Sequence, residues 1–290
     1  MKITLLTTLI SLAENRRIAE EIESLGHEFN LVSLKEFDFS TRNGKFTSDF
    51  LDNFESDIII VRGVFNAMKP ISALLLDMQK NGVKIFDNNF LDHQYSINKI
   101  ADIVKLSLSS IPVPDTVYTR EFKLYPKKVQ SVGYPAVIKS TRTGKGASVF
   151  KINSPSELES FIKTKESQGK EAKNFLIQEF IPYEYDLRCL IIGKDVFTMR
   201  RIPGEGEFRA NFSLGGSVEL FDLDEPGLNL AKSALRAINM SVGGVDILIT
   251  PDNRRYILEV NHTAGMIGME KATEKNITKL YVEHAINHAK

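Results

Sequence analysis

Residues 243–261, GGVDILITPDNRRYILEVN, place two apolar runs, 245–250 and 255–260, on either side of PDNR. Pro, Asp and Asn are turn formers, so the segment reads as a β-hairpin. A hairpin fixes register: with a four-residue loop Thr250 faces Arg255, and every opposed pair sums to the same number. Counting back sets Asp246 opposite Glu259. Asn261, two positions beyond Glu259, projects to the same face. Opposed carboxylates repel, the more so among apolar neighbours, and require something positive between them. The hard oxygens of Asp246, Glu259 and the Asn261 amide suit Mg²⁺, which takes one or two carboxylates and leaves the rest of its shell to water and substrate phosphates. An arginine-paired or protonated carboxylate at a solvated strand end would meet the same requirement.

The 290 residues suffice for two or three compact lobes. With 37 Lys+Arg against 37 Asp+Glu the formal net charge is zero. No global field therefore favours nucleic acid or an anionic membrane. The single cysteine, Cys189, excludes an intrachain disulfide framework, and its strand-like setting LRCLIIG marks a buried thiol. The N-terminal apolar run lacks a cleavage site and is followed by Glu14, Arg16 and Arg17. The other apolar runs are too short for a bilayer. A cytoplasmic protein is expected, with a homo-oligomer left open.

Strand-like and helix-like runs alternate over residues 1–90, the pattern of a parallel sheet covered on both faces. No G-x-G-x-x-G follows the first strand. Arg62 closes an apolar strand, at the edge where open α/β sheets bind ligands; it suits a carboxylate or a structural cap equally. A lobe boundary falls near residue 90, before the amphipathic NNFLDHQYSINKIADIVKLSLSS, and IPVPDT forces an extended link. The expected lobes are 1–90, 91–182 and 183–290. The last begins with a hairpin across Gly193 and contains the acidic hairpin.

Lys139 ends the buried run PAVIK before STRTGKGAS, where Gly144, Lys145 and Gly146 make a loop able to approach phosphates closely. It is not a Walker A loop, and a surface turn is the plain alternative. Gln178, Glu179, Phe180 and Ile181 end an apolar strand at Pro182 and offer backbone groups to a base edge; an interlobe linker reads the same way. Asp186 and Arg188 share a strand face. Arg200, Arg201, Arg209 and Asn211 precede a Gly–Gly turn; clustered arginines suit phosphoryl oxygens, though solvated arginines are common.

In order, the NK pair ending in Lys99, PAVIKSTRTGKG, QEFI, YDLRCLIIG, FRANFSLGG, GGVDIL, LEVN and GMEKAT resemble the ATP-grasp carboxylate–amine ligases of the RimK-like family. The resemblance implies an α/β protein, an ATP-grasp fold preceded by a parallel-sheet domain. It implies ATP and Mg²⁺ as cofactors, with Mn²⁺ as an alternative metal. Lys99, Lys139 and the 143–148 loop would hold phosphates; Glu179 and Ile181 would hold adenine through their backbone, and Asp186 would lie near the ribose. Gln178, Phe180 and Arg188 belong to the same nucleotide set. Arg209, Asn211 and Arg200 would serve the transferring phosphoryl group, and Asp246, Glu259 and Asn261 the metal. The reaction implied is an amide or peptide bond made from a carboxylate, through its acyl phosphate, and an amino acid amine of glutamate type. NHTAG is similar to a sibling branch that charges an amino-group carrier protein, and GMEKAT to glutamate-adding members. The acceptor alternatives are a protein C-terminus, a carrier protein, a coenzyme tail and a peptide being cyclised. A regulatory nucleotide-binding module without turnover is the alternative of another class.

Overall fold

The computed structural model describes residues 1–289 apart from 49, 51–54, 65–67, 87–90, 92–97, 142–147, 184 and 205–216. The alternating first segment forms the parallel sheet its pattern predicts. Strands β1 (Lys2–Thr7), β2 (Glu28–Ser33), β5 (Ile58–Val61) and β6 (Lys84–Phe86) lie in the order β2-β1-β5-β6. Helix α1 (Ala13–Ser24) crosses between the first two and α2 (Met68–Lys80) precedes the last. Between β2 and β5 a short hairpin, β3 (Ser40–Arg42) with β4 (Lys45–Thr47), occupies what reads as polar loop. Asn43 and Gly44 turn it at φ 50° and 74°, the positive values a tight hairpin loop needs.

A second, antiparallel sheet runs β7-β10-β8-β9, built from β7 (Thr116–Val117), β8 (Ala136–Ser140), β9 (Val149–Ile152) and β10 (Phe175–Glu179). Helices α4 (Tyr125–Val132) and α5 (Pro155–Ser167) give it a core of its own, in which Tyr125, Phe161 and Phe175 pack. Ser154 caps α5 by accepting the Glu157 N–H at 3.3 Å, as its sequence suggests.

The third sheet has the order β13-β12-β11-β14-β15. Its strands are β11 (Asp186–Ile192), β12 (Asp195–Ile202), β13 (Ser217–Leu220), β14 (Val242–Ile249) and β15 (Arg255–Asn261). One face shares a core with the parallel sheet: Ile3, Leu5 and Ile18 pack with Leu190, Met266 and Tyr281, the last from the closing helix α7 (Ile277–His288). The other face packs on α6 (Glu225–Ala237). Leu106 of α3 (Lys99–Leu108) joins that core and not the core of the small sheet. The parallel and five-stranded sheets are thus joined by buried apolar surface, and the small sheet stands across a cleft from them.

Candidate active site

The acidic hairpin reaches its expected pairing by an unexpected route. Asp246 does lie opposite Glu259, and Gly244 opposite Asn261. Near the turn, however, Ile249 and not Thr250 faces Arg255. Thr250 closes a longer loop: its N–H donates to the Arg254 carbonyl at 2.9 Å and its hydroxyl accepts the Arg254 N–H at 3.0 Å. Asn253 takes φ 62° there, which asparagine tolerates better than most residues. A bulge between Asp246 and Ile247 then restores the register. Bulges re-aim side chains, and here Leu258 and Glu259 both line the cleft.

Strand alternation gathers charge on one face of the five-stranded sheet. Arg188 holds Asp246 through both atoms of its fork, Nη2 to Oδ2 at 2.8 Å and Nε to Oδ1. Arg201 lies between two carboxylates, with Nη2 3.0 Å from Asp246 Oδ2 and Nε 2.5 Å from Asp186 Oδ1. Lys99 Nζ lies 2.5 Å from Glu259 Oε1. With its amide turned so that the oxygen meets Arg188, Asn261 fits between these groups, donating to Glu259 Oε1 and accepting from Arg188 Nη2, each at 3.2 Å. Burial pushes the Asp246 carboxyl up, but Arg188 and Arg201 outweigh it and hold the group below the usual range. Asp186 goes the other way, because burial and the neighbouring Asp246 charge exceed the help of Arg201.

Above this face, Lys99 and Ile103 of α3, Lys139 of β8, Leu176 and Gln178 of β10, and Leu258 line a common cleft. Burial first, and the Lys99 charge with it, lower the Lys139 ammonium to about 8 against the pull of Glu259, Asp246 and Asp186. Gln178 donates from Nε2 to Thr116 Oγ1 at 2.9 Å, while its buried Oε1 has no partner among the described residues. Among the described residues, Lys99, Lys139, Arg188 and Arg201 gather around the carboxylates of Asp186, Asp246 and Glu259, and Asp102, which also lines the cleft, pairs with His262. A cleft with apolar walls, an unsatisfied acceptor and two lysines on its lining fits a purine at one end and phosphates at the other. Residues 96–284 match the RimK-like ATP-grasp domain.

The chain belongs to the RimK-like ATP-grasp family. It is 30% identical over 298 residues, 100% of this chain and 97% of the other, to "Probable alpha-L-glutamate ligase 2" of Pseudoalteromonas atlantica. Its fold is similar to that of the ATP-grasp ligase PsnB complexed with a minimal precursor: TM-score 0.73, 19% identity, 98% of each chain. A RimK domain ATP-grasp protein of Sphaerobacter thermophilus matches at TM-score 0.72, with 18% identity over 98% of this chain and 99% of that one. The protein is thus an ATP-dependent ligase that forms amide bonds.

Within the RimK-like frame the sequence-derived residues divide into four groups. Lys99, Lys139, Gln178, Asp186, Arg188, Asp246, Glu259 and Asn261 converge on the cleft and its floor. Arg200 does not join them. It points to the opposite face, where its Nε bonds Glu219 Oε1 at 2.6 Å and its guanidinium lies 5.0 Å from the Tyr185 ring centre. Its neighbour Arg201 lies on the face of Asp186 and Asp246 instead, because adjacent strand residues face opposite ways. The signal was present: a two-residue loop at Gly193 and Lys194 pairs Ile192 with Asp195 and so Asp186 with Arg201. At the strand exit, Glu179 N–H bonds the Asp115 carbonyl at 2.9 Å and its carboxylate takes the Asp115 N–H, while Phe180 N–H bonds the Pro135 carbonyl at 3.3 Å. Gly144, Lys145, Gly146, Arg209 and Asn211 lie outside the described residues.

Two further groups clarify the surroundings. Arg62 is buried and donates from Nη2 to the Ala264 carbonyl at 2.5 Å, so it ties the parallel sheet to the loop after Asn261. Cys189 is fully buried, and burial pushes its thiol up to about 12, which leaves it no nucleophilic role. No three His, Cys, Asp or Glu side chains cluster as a metal site among the described residues. Two carboxylates and an amide remain, a donor set that fits Mg²⁺ sharing its shell with phosphates and water.

Proposed function

We propose that this ligase joins an amino acid, glutamate first among them, to the carboxylate of an acceptor. The convergence of Lys99, Lys139, Gln178, Asp246, Glu259 and Asn261 on one cleft carries the reading, and the glutamate assignment leans on the full-length relative. Lys99 and Lys139 bind the triphosphate, and Gln178 Oε1 with the backbone of Glu179–Ile181 reads the adenine edge. Ile181 N–H makes no backbone hydrogen bond among the described residues, which suits that task. Asp246, Glu259 and Asn261 hold Mg²⁺, which neutralises phosphate charge when bound. Arg209 and Asn211 attend the transferring phosphoryl group. The lobes 1–90, 91–182 and 183–290 belong to this proposal, with α3 packed beneath the last of them.

The chemistry follows from that arrangement. An acceptor carboxylate oxygen attacks the γ-phosphorus of ATP, ADP leaves, and an acyl phosphate forms. The amine then attacks the acyl carbon; phosphate leaves and the nitrogen gives up a proton. Cations on the cleft wall stabilise the phosphoryl oxygens, and closure of the small sheet over the floor excludes water that would hydrolyse the intermediate.

Among the described residues no helix is long and apolar enough to cross a membrane. The single buried thiol suits a reducing compartment such as the cytoplasm. The test is ADP release from Mg·ATP with each amino acid against acceptors of four kinds: protein C-termini, carrier proteins, coenzyme acids and peptides. Mass spectrometry should find a glutamyl-extended acceptor. A product that lost water without gaining an amino acid would replace this reading with peptide cyclisation, and nucleotide binding without ADP release in any pairing would leave a regulatory module.

A further inference from the structure

His262 departs from a plain strand end, and the catalytic reading leaves it no task. Its Nε2 lies 3.0 Å from Asp102 Oδ2, and both side chains are 8% exposed. The carboxylate can only accept, so the imidazole N–H donates. Asp102 Oδ1 has no partner among the described residues, which makes this bond the main compensation for burying the carboxylate. Asp102 stands one turn after Lys99 on α3, a helix whose start is capped by Asn98 accepting the Ala101 N–H at 2.9 Å. His262 stands three residues after Glu259. The first helical turn is therefore fastened to the end of β15 at two points, Lys99 to Glu259 and Asp102 to His262.

The two fastenings differ in what substrate does to them. When Glu259 turns to its ligands and Lys99 to phosphate, their mutual bridge opens. The Asp102–His262 bond remains, and it fixes the backbone from which Lys99 extends. The geometry points to His262 as a positioning residue: through Asp102 it holds the first turn of α3 so that the Lys99 ammonium stands at the phosphate end of the cleft. This rests on the assignment of Lys99 as a phosphate ligand.

The experiment is a double-mutant cycle read by calorimetric Mg·ATP binding on the full chain, with KM and kcat alongside. His262→Leu should weaken binding on the order of tenfold, the scale of one lost charge-assisted hydrogen bond. It should raise KM for ATP more than it lowers kcat. His262→Gln, whose amide can still donate to Asp102, should recover affinity to within about threefold of wild type. In a Lys99→Met background His262→Leu should add almost nothing, because its effect passes through that lysine. Unchanged affinity in His262→Leu, or a full additional loss in the Lys99→Met background, overturns the inference. Unchanged affinity in Lys99→Met alone overturns the phosphate assignment instead. Should the leucine variant not fold, Asp102→Asn, which keeps the shape and weakens the bond, takes its place under the same criteria.

Discussion

Replacing Lys139 with methionine should make the nucleotide-free protein more stable while removing its grip on ATP. The ammonium is lowered from 10.5 to about 8, with burial the largest cause. No salt bridge holds it among the described residues. A shift of 2.5 units (10.5 less 8) corresponds to about 3 kcal/mol at ~1.4 kcal/mol per unit, the penalty the folded state bears at neutral pH for keeping this lysine charged. Methionine fills similar space without charge, so a gain of about 1–3 kcal/mol is expected, or a melting point higher by roughly 2–6 °C. The linkage has a definite sign. An unfolded lysine keeps its proton up to about 10.5, whereas the folded one releases it near 8. The unfolded state therefore holds more protons between these values, and wild-type stability rises with pH across that window. The advantage of Lys139→Met should accordingly be full at pH 7 and shrink towards pH 10. Thermal melts at several pH values, with and without Mg·ATP, provide the assay. Saturating nucleotide at 100 times Kd should stabilise wild type by about 2.7 kcal/mol and the variant far less. A variant that melts below wild type without nucleotide, at matched pH, would refute the argument that this charge is held at a cost for the ligand.

The same lysine should make ATP binding take up protons: phosphate charge raises its affinity for a proton again, so calorimetry at pH 8.5 in buffers of different ionisation enthalpy should show uptake, and affinity should fall as pH rises through about 8. Arg201→Met should destabilise the fold by about 3–5 kcal/mol, since it takes the paired guanidinium from the buried Asp186 and leaves Asp246 with Arg188 alone, whereas Arg200→Met, which loses a half-exposed pair with Glu219 and a contact with the Tyr185 ring, should stay within about 1 kcal/mol; urea unfolding separates the two. Glu259→Gln should abolish ADP release yet leave a folded protein with wild-type melting to within about 1 kcal/mol, and near-normal turnover in this variant would remove Glu259 from the metal set.

What the sequence determined by itself was the local part of the design. Turn chemistry and period-2 alternation are properties of neighbouring residues, so the parallel sheet, the Ser154 cap, the Gly193 hairpin and the pairing of Asp246 with Glu259 could all be read without coordinates. Even there the hairpin succeeded through cancellation: a longer loop shifted the register by one, and a bulge shifted it back. The choice between Arg200 and Arg201 hung on strand parity, which depends on the loop length at Gly193 and is lost in a count of clustered arginines. Other features lay beyond any local rule. Asp102 and His262 meet across 160 positions, and Arg62 reaches the Ala264 carbonyl across 202. Helix α3, read as the entrance to the middle lobe, is drawn under the five-stranded sheet by Leu106 because the apolar surface awaiting it there belongs to β11, β14 and α6. Buried polar groups find partners wherever packing brings a donor within reach of an acceptor, and packing depends on the whole chain at once. The charge the acidic hairpin demanded was legible in its own residues; that it is met here by Arg188, Arg201 and Lys99 was decided only by the folded chain.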